Sequence, residues 1–146
     1  MTPGIHLLDV NVLVALAWPN HIHHARAHAW FAGLDAWATC PLTQSGFVRV
    51  SSNRKAVPDA RKPAEAIELL REMIQLDGHR FWEDRVSIAE PRHPAFGRVV
   101  TYRQVTDAHL LALATAHHGC LATFDRGVRE LAPPETRNGS LVFLVP

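Results

Sequence analysis

The stretch Thr106-Asp107-Ala108-His109-Leu110-Leu111-Ala112-Leu113-Ala114-Thr115-Ala116-His117-His118-Gly119-Cys120-Leu121-Ala122-Thr123-Phe124-Asp125 decides the fold. Thr106 suits an N-cap, residues 107–118 read as a near-continuous apolar helix, and Gly119 ends it. Residues 120–124 are then a short apolar strand closed by Asp125. A connection this short makes helix and strand antiparallel, so Asp107 at the start of one and Asp125 at the end of the other share an edge. Working outward, residues 5–8 read as a first strand ending at Asp9, and 36–40 as a second, closed by Pro41. Residues 85–88 read as a third strand and 141–145 as a last. Helices are expected over 10–18, 22–34 and 42–50, and from Pro63 to Asp77-Gly78. The last of these carries Ala66, Ile67, Leu70, Met73 and Ile74 on one face. Residues 51–61 and 91–101 read as irregular and 126–131 as a helical turn.

Short apolar strands alternate with helices and lack the apolar–polar alternation of a half-wet sheet. That pattern predicts an α/β fold with a mostly parallel sheet covered on both faces. The chain has 146 residues, which suits a single domain over 1–146. Hydrophobic residues at 47% and charged residues at 20% exclude a disordered chain. A net charge of +1 gives no bulk signal for nucleic acid, so any basic footprint is local. Two cysteines, Cys40 and Cys120, exclude a disulfide-dense scaffold and a four-cysteine zinc site; two buried thiols are expected. Without a signal-peptide pattern or an 18-residue apolar run, a cytoplasmic protein with no membrane partner is expected.

Ligands of open α/β sheets bind beyond the carboxyl ends of the strands. If the strands ending at Asp9 and Asp125 are neighbours, those two acids and Asp107 meet at one rim. Three acids in one cleft repel, and a hard cation with oxygen ligands relieves them. Such a site activates water and neutralises charge on a phosphoryl group, the chemistry of a metal-dependent phosphodiesterase. Each acid also has a plain structural reading: Asp107 as a first-turn acid, Asp125 as a turn residue, Asp9 as a helix cap.

Leu7-Leu8-Asp9-Val10-Asn11-Val12-Leu13, Thr106-Asp107-Ala108-His109-Leu110 and Leu121-Ala122-Thr123-Phe124-Asp125-Arg126-Gly127 resemble the three acidic motifs of PIN-domain ribonucleases. More closely, the chain resembles VapC toxins of bacterial type II toxin–antitoxin systems. Cys40-Pro41-Leu42-Thr43-Gln44-Ser45-Gly46-Phe47-Val48-Arg49-Val50 resembles that family's segment after the second strand. The resemblance spans essentially the whole chain in order. It implies a three-layer α/β/α PIN-like fold and a Mg²⁺-dependent endoribonuclease, with Mn²⁺ as a substitute, that cleaves tRNA or rRNA and inhibits translation. It also implies a cognate VapB-like antitoxin and a homodimer. Carried over residue by residue, Asp9 and Asp107 are the core metal ligands and Asp125 completes the acidic cluster. Asn11, Thr43, Gln44, Thr106 and Thr123 are candidates for supporting the acids or positioning substrate. Where the family usually has a glutamate, this chain has Gln44, which carries no charge and cannot act as a base. One principal ion is therefore expected, or a second that arrives with the RNA phosphate.

Gln44 also opens an alternative: a catalytically silent PIN-like module that binds RNA or protein. The three retained aspartates argue against it. A phosphatase on a doubly wound sheet wants a second acid two residues after the first, and position 11 is Asn11.

Arg49, Arg54, Lys55, Arg61 and Lys62 form one basic group, and Arg92, Arg98 and Arg103 a second shortly before Asp107; Arg126 follows Asp125. Arg49, Arg54, Lys55, Arg98, Arg103 and Arg126 are the candidates for RNA phosphate. His24 and His28 have helical i,i+4 spacing, yet no third ligand completes a zinc pattern, and a surface or partner-facing role is expected. Trp30 and Trp37 are expected to pack rather than stack on bases. Trp18 and Phe31 lie on helices that in this family often face the antitoxin or the second subunit.

Overall fold

The computed structural model describes residues 4–89, 93–137 and 139–146. Among these, five strands make one sheet: β1 (His6–Leu8), β2 (Trp37–Thr39), β3 (His79–Phe81), β4 (Cys120–Thr123) and β5 (Val142–Leu144). Their order across the sheet is β3-β2-β1-β4-β5, with every neighbouring pair parallel. The helices of the described residues, α1 (Val10–Ala17), α2 (His24–Phe31), α3 (Pro41–Ser51), α4 (Pro63–Met73), α5 (Pro94–Gly97) and α6 (Val105–Ala116), are supplemented by short 3₁₀ turns. The predicted three-layer architecture is what forms.

The sheet has a core on each face, and both faces are why its central strands show no polar alternation. One core joins Leu7, Leu121 and Val142 to α6 through Leu110, Leu111, Leu113 and Ala114. The other joins Leu8, Trp37 and Ala122 to α1 and to Phe47 of α3. All four side chains of β4 are buried. Gly46 lets α1 and α3 touch: a Cβ there would stand 2.6 Å from Val10 Cγ2. The far ends of the two helices are joined as well, by Trp18 Nε1 donating to Ser51 Oγ at 3.1 Å.

Four local readings need correction. The third strand is His79–Phe81, not 85–88. It follows a turn in which Gly78 takes φ +84° and its carbonyl accepts from Trp37 N–H, and it pairs with β2 as an edge strand with Arg80 and Phe81 exposed. An edge strand needs no apolar run, so the apolar signal pointed past it. Within 91–101 a one-turn helix, α5, packs Ala95 into the core. Thr106 is not an N-cap: α6 begins at Val105, extended backward by a 3₁₀ turn over Tyr102–Gln104, and Thr106 is an exposed residue of its first turn. On α4, Ala66 and Leu70 are buried, but Ile67 is 43% exposed.

The α6–β4 junction also differs in detail. The left-handed residue is His118 (φ 59°), with Gly119 N–H bonding Ala114 O at 2.9 Å. Gly119 is required for space, because a Cβ would run into Ile5 O and the Trp82 ring. Both cysteines are buried and free. Among the described residues no helix is long and apolar enough to cross a membrane.

Candidate functional site

From β1 the chain builds outward to β2 and β3, then returns to place β4 on the other side of β1. The β1/β4 boundary is therefore the point where the connections diverge, and the crevice beyond its carboxyl ends is the expected ligand position. Asp9 is the first residue after β1 and Asp125 the second after β4. Because α6 leads directly back into β4, Asp107 in its first turn returns to the same edge. The three acids lie within electrostatic reach of one another: Asp107 feels the charges of both Asp9 and Asp125, and Asp9 that of Asp125.

Asp9 is 7% exposed and fixed at both oxygens. Its Oδ1 accepts from Val10 N–H at 2.8 Å and its Oδ2 from the Thr123 hydroxyl at 2.8 Å. The Thr123 oxygen accepts in turn from Asn11 Nδ2 and from Asp125 N–H, each at 3.1 Å. One proton and two lone pairs are thus all used. Asn11 Oδ1 receives Phe124 N–H at 3.2 Å. Asn11 and Thr123 consequently tie the end of β1 to the end of β4 and lock the Asp9 carboxylate between them. Asp125 is exposed, and its Oδ1 accepts from Gly127 N–H at 2.8 Å. Asp9 and Asp125 are therefore helix caps as well as rim acids.

The electrostatics favour a cation. Burial pushes the Asp9 carboxyl above its ordinary range, against the pull of the Thr123 and Val10 hydrogen bonds, and Asp125 adds to the rise. Asp107 is raised to about 7, first by burial, then by the charges of Asp9 and Asp125. Among the described residues no group of three or more His, Cys, Asp or Glu side chains is placed to hold a metal ion, so a cation here would draw on fewer than three of the acids at once. An all-carboxylate rim of this kind fits magnesium, which takes one or two carboxylates and fills its remaining positions with water and substrate phosphate.

The supporting candidates separate. Thr43 is fully buried and caps α3: its hydroxyl accepts from Cys40 N–H at 3.0 Å, which makes it part of the fold. Gln44 lies in the first turn of α3, half-buried, and its Nε2 donates to the Thr39 hydroxyl at 3.0 Å. The basic candidates separate too. Arg103 lies in the 3₁₀ turn that leads into α6, over the Tyr102 ring, and Arg126 directly follows Asp125; both are exposed. Arg98 donates Nε–H to Glu130 O at 2.8 Å. Arg49, Arg54 and Lys55 are exposed on the last turn of α3 and beyond it. Since Ser51 sits against Trp18, this group lies at the end of α1 remote from Asp9. Arg61 pairs with Glu65, and Arg92 falls outside the described residues.

His24 Nδ1 and His28 Nε2 donate to Ala15 O and Leu16 O at 2.8 and 2.9 Å, so their spacing serves to cap the carbonyl end of α1. Trp18, Trp37 and Trp82 are buried and Trp30 is half-buried, in keeping with packing. Two pairings near the site were not read from the sequence. His109 Nε2 lies 2.8 Å from Asp84 Oδ2, a contact that ties the segment after β3 to α6, and Thr39 Oγ1 lies 2.7 Å from His79 Nε2. A histidine two residues after Asp107 was the available hint of the first.

The PIN domain family model matches residues 6–133. "Ribonuclease VapC38" of Mycobacterium tuberculosis is 53% identical over 128 residues, 86% of this chain and 89% of that protein. "Ribonuclease VapC39" of the same species is 47% identical over 128 residues, covering 86% and 92%. "Ribonuclease VapC44" is 45% identical over 140 residues, covering 94% and 98%. Among solved structures, PAE2754 from Pyrobaculum aerophilum superimposes with a TM-score of 0.59 over 95% of this chain and 83% of that one. At 21% identity this likeness concerns the fold alone.

Proposed function

The chain belongs to the PIN-domain family and, within it, to the VapC ribonucleases, and on that premise we propose that it is the toxin of a type II toxin–antitoxin pair. Its activity is Mg²⁺-dependent endonucleolytic cleavage of tRNA or rRNA, which stops translation. The observation that carries the reading is the convergence of Asp9, Asp107 and Asp125 at the β1/β4 crevice with the Asp107 carboxyl raised to about 7. A site that strains against its own charge is suited to a divalent cation and a phosphate.

Asp9 and Asp107 would hold the ion, and Mn²⁺ would replace Mg²⁺. When bound, the ion supplies positive charge against the scissile phosphate and acidifies water. Thr123 and Val10 hold Asp9 in one orientation while each of its oxygens keeps a second lone pair for the site. Asp125 Oδ1 is held by Gly127 N–H, which fixes the carboxylate so that it can orient the attacking water and take its proton. Arg103 and Arg126 receive the neighbouring phosphates, and the leaving oxygen is protonated by solvent.

A VapB-like antitoxin neutralises the toxin, and the 146 residues act as one cytoplasmic domain that forms a homodimer. The test is total bacterial RNA incubated with purified, antitoxin-free protein in Mg²⁺ and in EDTA. Discrete products that vanish in EDTA support the reading. Intact RNA in Mg²⁺ and Mn²⁺ favours a silent binding module.

A further inference from the structure

Gln44 stands where this family usually has an acid, and three hydrogen-bonding groups in series account for it. The Thr39 side chain is fully buried. Its hydroxyl has one proton and two lone pairs. Gln44 Nε2 donates to that oxygen at 3.0 Å, and His79 Nε2 lies 2.7 Å from it. Since the amide nitrogen only donates, the Thr39 proton has His79 Nε2 as its acceptor. Were His79 instead to donate, Thr39 would receive two protons and its own would be left without an acceptor in the buried interior. His79 is accordingly a neutral imidazole with its proton on Nδ1. Burial, and then the charge of Arg80, lower its pKa in the same sense. Trp37 packs edge-on to the ring with centroids 4.8 Å apart and holds it in place.

The consequence for the rim lies in the other half of the amide. With one Nε2 hydrogen held inward by Thr39, the acceptor that Gln44 has to offer a cation or a water is its carbonyl oxygen. Gln44 is in the first turn of α3, directly beyond the carboxyl end of β2, the neighbour of β1. Two residues on, Gly46 packs against Val10, the residue after Asp9. The α3 turn is thus anchored beside the Asp9 cap.

We propose that His79, acting through the buried Thr39 hydroxyl, is a positioning residue that fixes the Gln44 amide with its nitrogen inward and its carbonyl oxygen toward the acidic rim, so that this site is built around a neutral group at position 44. The inference rests on the nuclease reading for its purpose, but not for its geometry. The substitution Gln44→Glu reverses the series: the new carboxylate would accept the Thr39 proton, Thr39 would accept from His79, and the imidazole proton would move from Nδ1 to Nε2. No bond other than hydrogen bonds changes, apart from that proton's move between ring nitrogens, and no outside proton is needed.

The test reads the imidazole directly. Long-range ¹H–¹⁵N correlation spectra of the full chain, with His79 assigned by its absence in His79→Gln, are expected to show the Nδ1–H tautomer in the wild type and the Nε2–H form in Gln44→Glu. An Nε2–H imidazole in the wild type, or a His79 pattern unchanged by Gln44→Glu, overturns the proposal. In cleavage assays Thr39→Val is expected to lower kcat by roughly five- to tenfold, the worth of one ordinary hydrogen bond, with KM nearly unchanged and with recovery in Thr39→Ser. Thr39→Val at full kcat overturns the positioning role, as does a Gln44→Glu variant with higher kcat than the wild type. If Asp9→Asn is inactive while Thr39→Val retains full kcat, the nuclease reading stands and this one fails. If the wild type cuts no RNA, the nuclease reading fails, the positioning role fails with it, and the spectra still decide the direction of the hydrogen bonds.

Discussion

Replacing Asp107 by asparagine is expected to stabilise the metal-free protein, and to do so only above mildly acidic pH. Asp107 is half-buried, and its pKa rises from an ordinary 3.8 to about 7 because of burial and the nearby charges of Asp9 and Asp125. A carboxyl whose folded pKa is raised costs stability as pH increases. Below the unfolded value both states hold the proton and nothing is lost. Between 3.8 and about 7 the unfolded chain releases its proton while the folded chain keeps it. Folding therefore weakens by about 1.4 kcal/mol per pH unit across that window. Above about 7 both states are ionised and the full cost, on the order of 4 kcal/mol, remains. The assay is urea unfolding of wild type and Asp107→Asn in EDTA from about pH 4.5 to 8.5. The variant's advantage should be small at the acid end, grow with pH, and level off near about 4 kcal/mol above about pH 7. Added Mg²⁺ should restore much of the wild-type deficit and do little for the variant. An advantage that does not vary with pH, or no advantage at about pH 8, would refute the claim that the rim stores charge repulsion.

Three further outcomes rest on the same contacts. Thr123→Val removes the hydroxyl that binds Asp9, Asn11 and the Asp125 backbone; it should cost about 1–3 kcal/mol in urea unfolding and slow RNA cleavage at least about tenfold, and a variant of full stability and activity would contradict the locking role. His118→Gly should stabilise the protein by about 1 kcal/mol, because a residue with a Cβ now occupies the left-handed position after α6; thermal unfolding reads this, and a lower Tm would contradict it. Gly119→Ala should cost about 2–3 kcal/mol or more, since the new methyl meets Ile5 O and the Trp82 ring; unfolding at the wild-type midpoint would contradict it.

The parts of the fold that were legible in the sequence are those buried on both sides. β1 and β4 are apolar runs because helices cover both faces, and each run leads into an aspartate. That made the rim acids readable together with the strands. β3 was not legible for the converse reason: His79, Arg80 and Phe81 form an edge whose position is set by Gly78 and by pairing with β2. Missing that strand also hid the partner of Thr39, because 40 residues separate Thr39 from His79 and only the β2–β3 pairing joins them. At α6, Thr106 beside Asp107 looked like a cap, whereas the stronger signature lay one turn earlier. Thr101 and Gln104 have capping-box spacing, and Gln104 Oε1 accepts from Val100 and Thr101 N–H. The basic residues near position 50 could not be placed from charge alone. Their remoteness from Asp9 is a matter of how α3 lies along α1, set by Gly46 against Val10 at one end and Ser51 against Trp18 at the other.

The most direct test of the central claim is the Mg²⁺-dependent cleavage rate of one mapped RNA by wild type, Asp9→Asn, Asp107→Asn and Asp125→Asn, each shown to be folded by circular dichroism. A rim in which the three carboxylates act together predicts that each substitution lowers kcat by about a hundredfold or more. Asp9→Asn and Asp107→Asn should also need more Mg²⁺ for their residual activity. A folded variant of any of the three that cuts the same bonds at the wild-type rate would contradict the account.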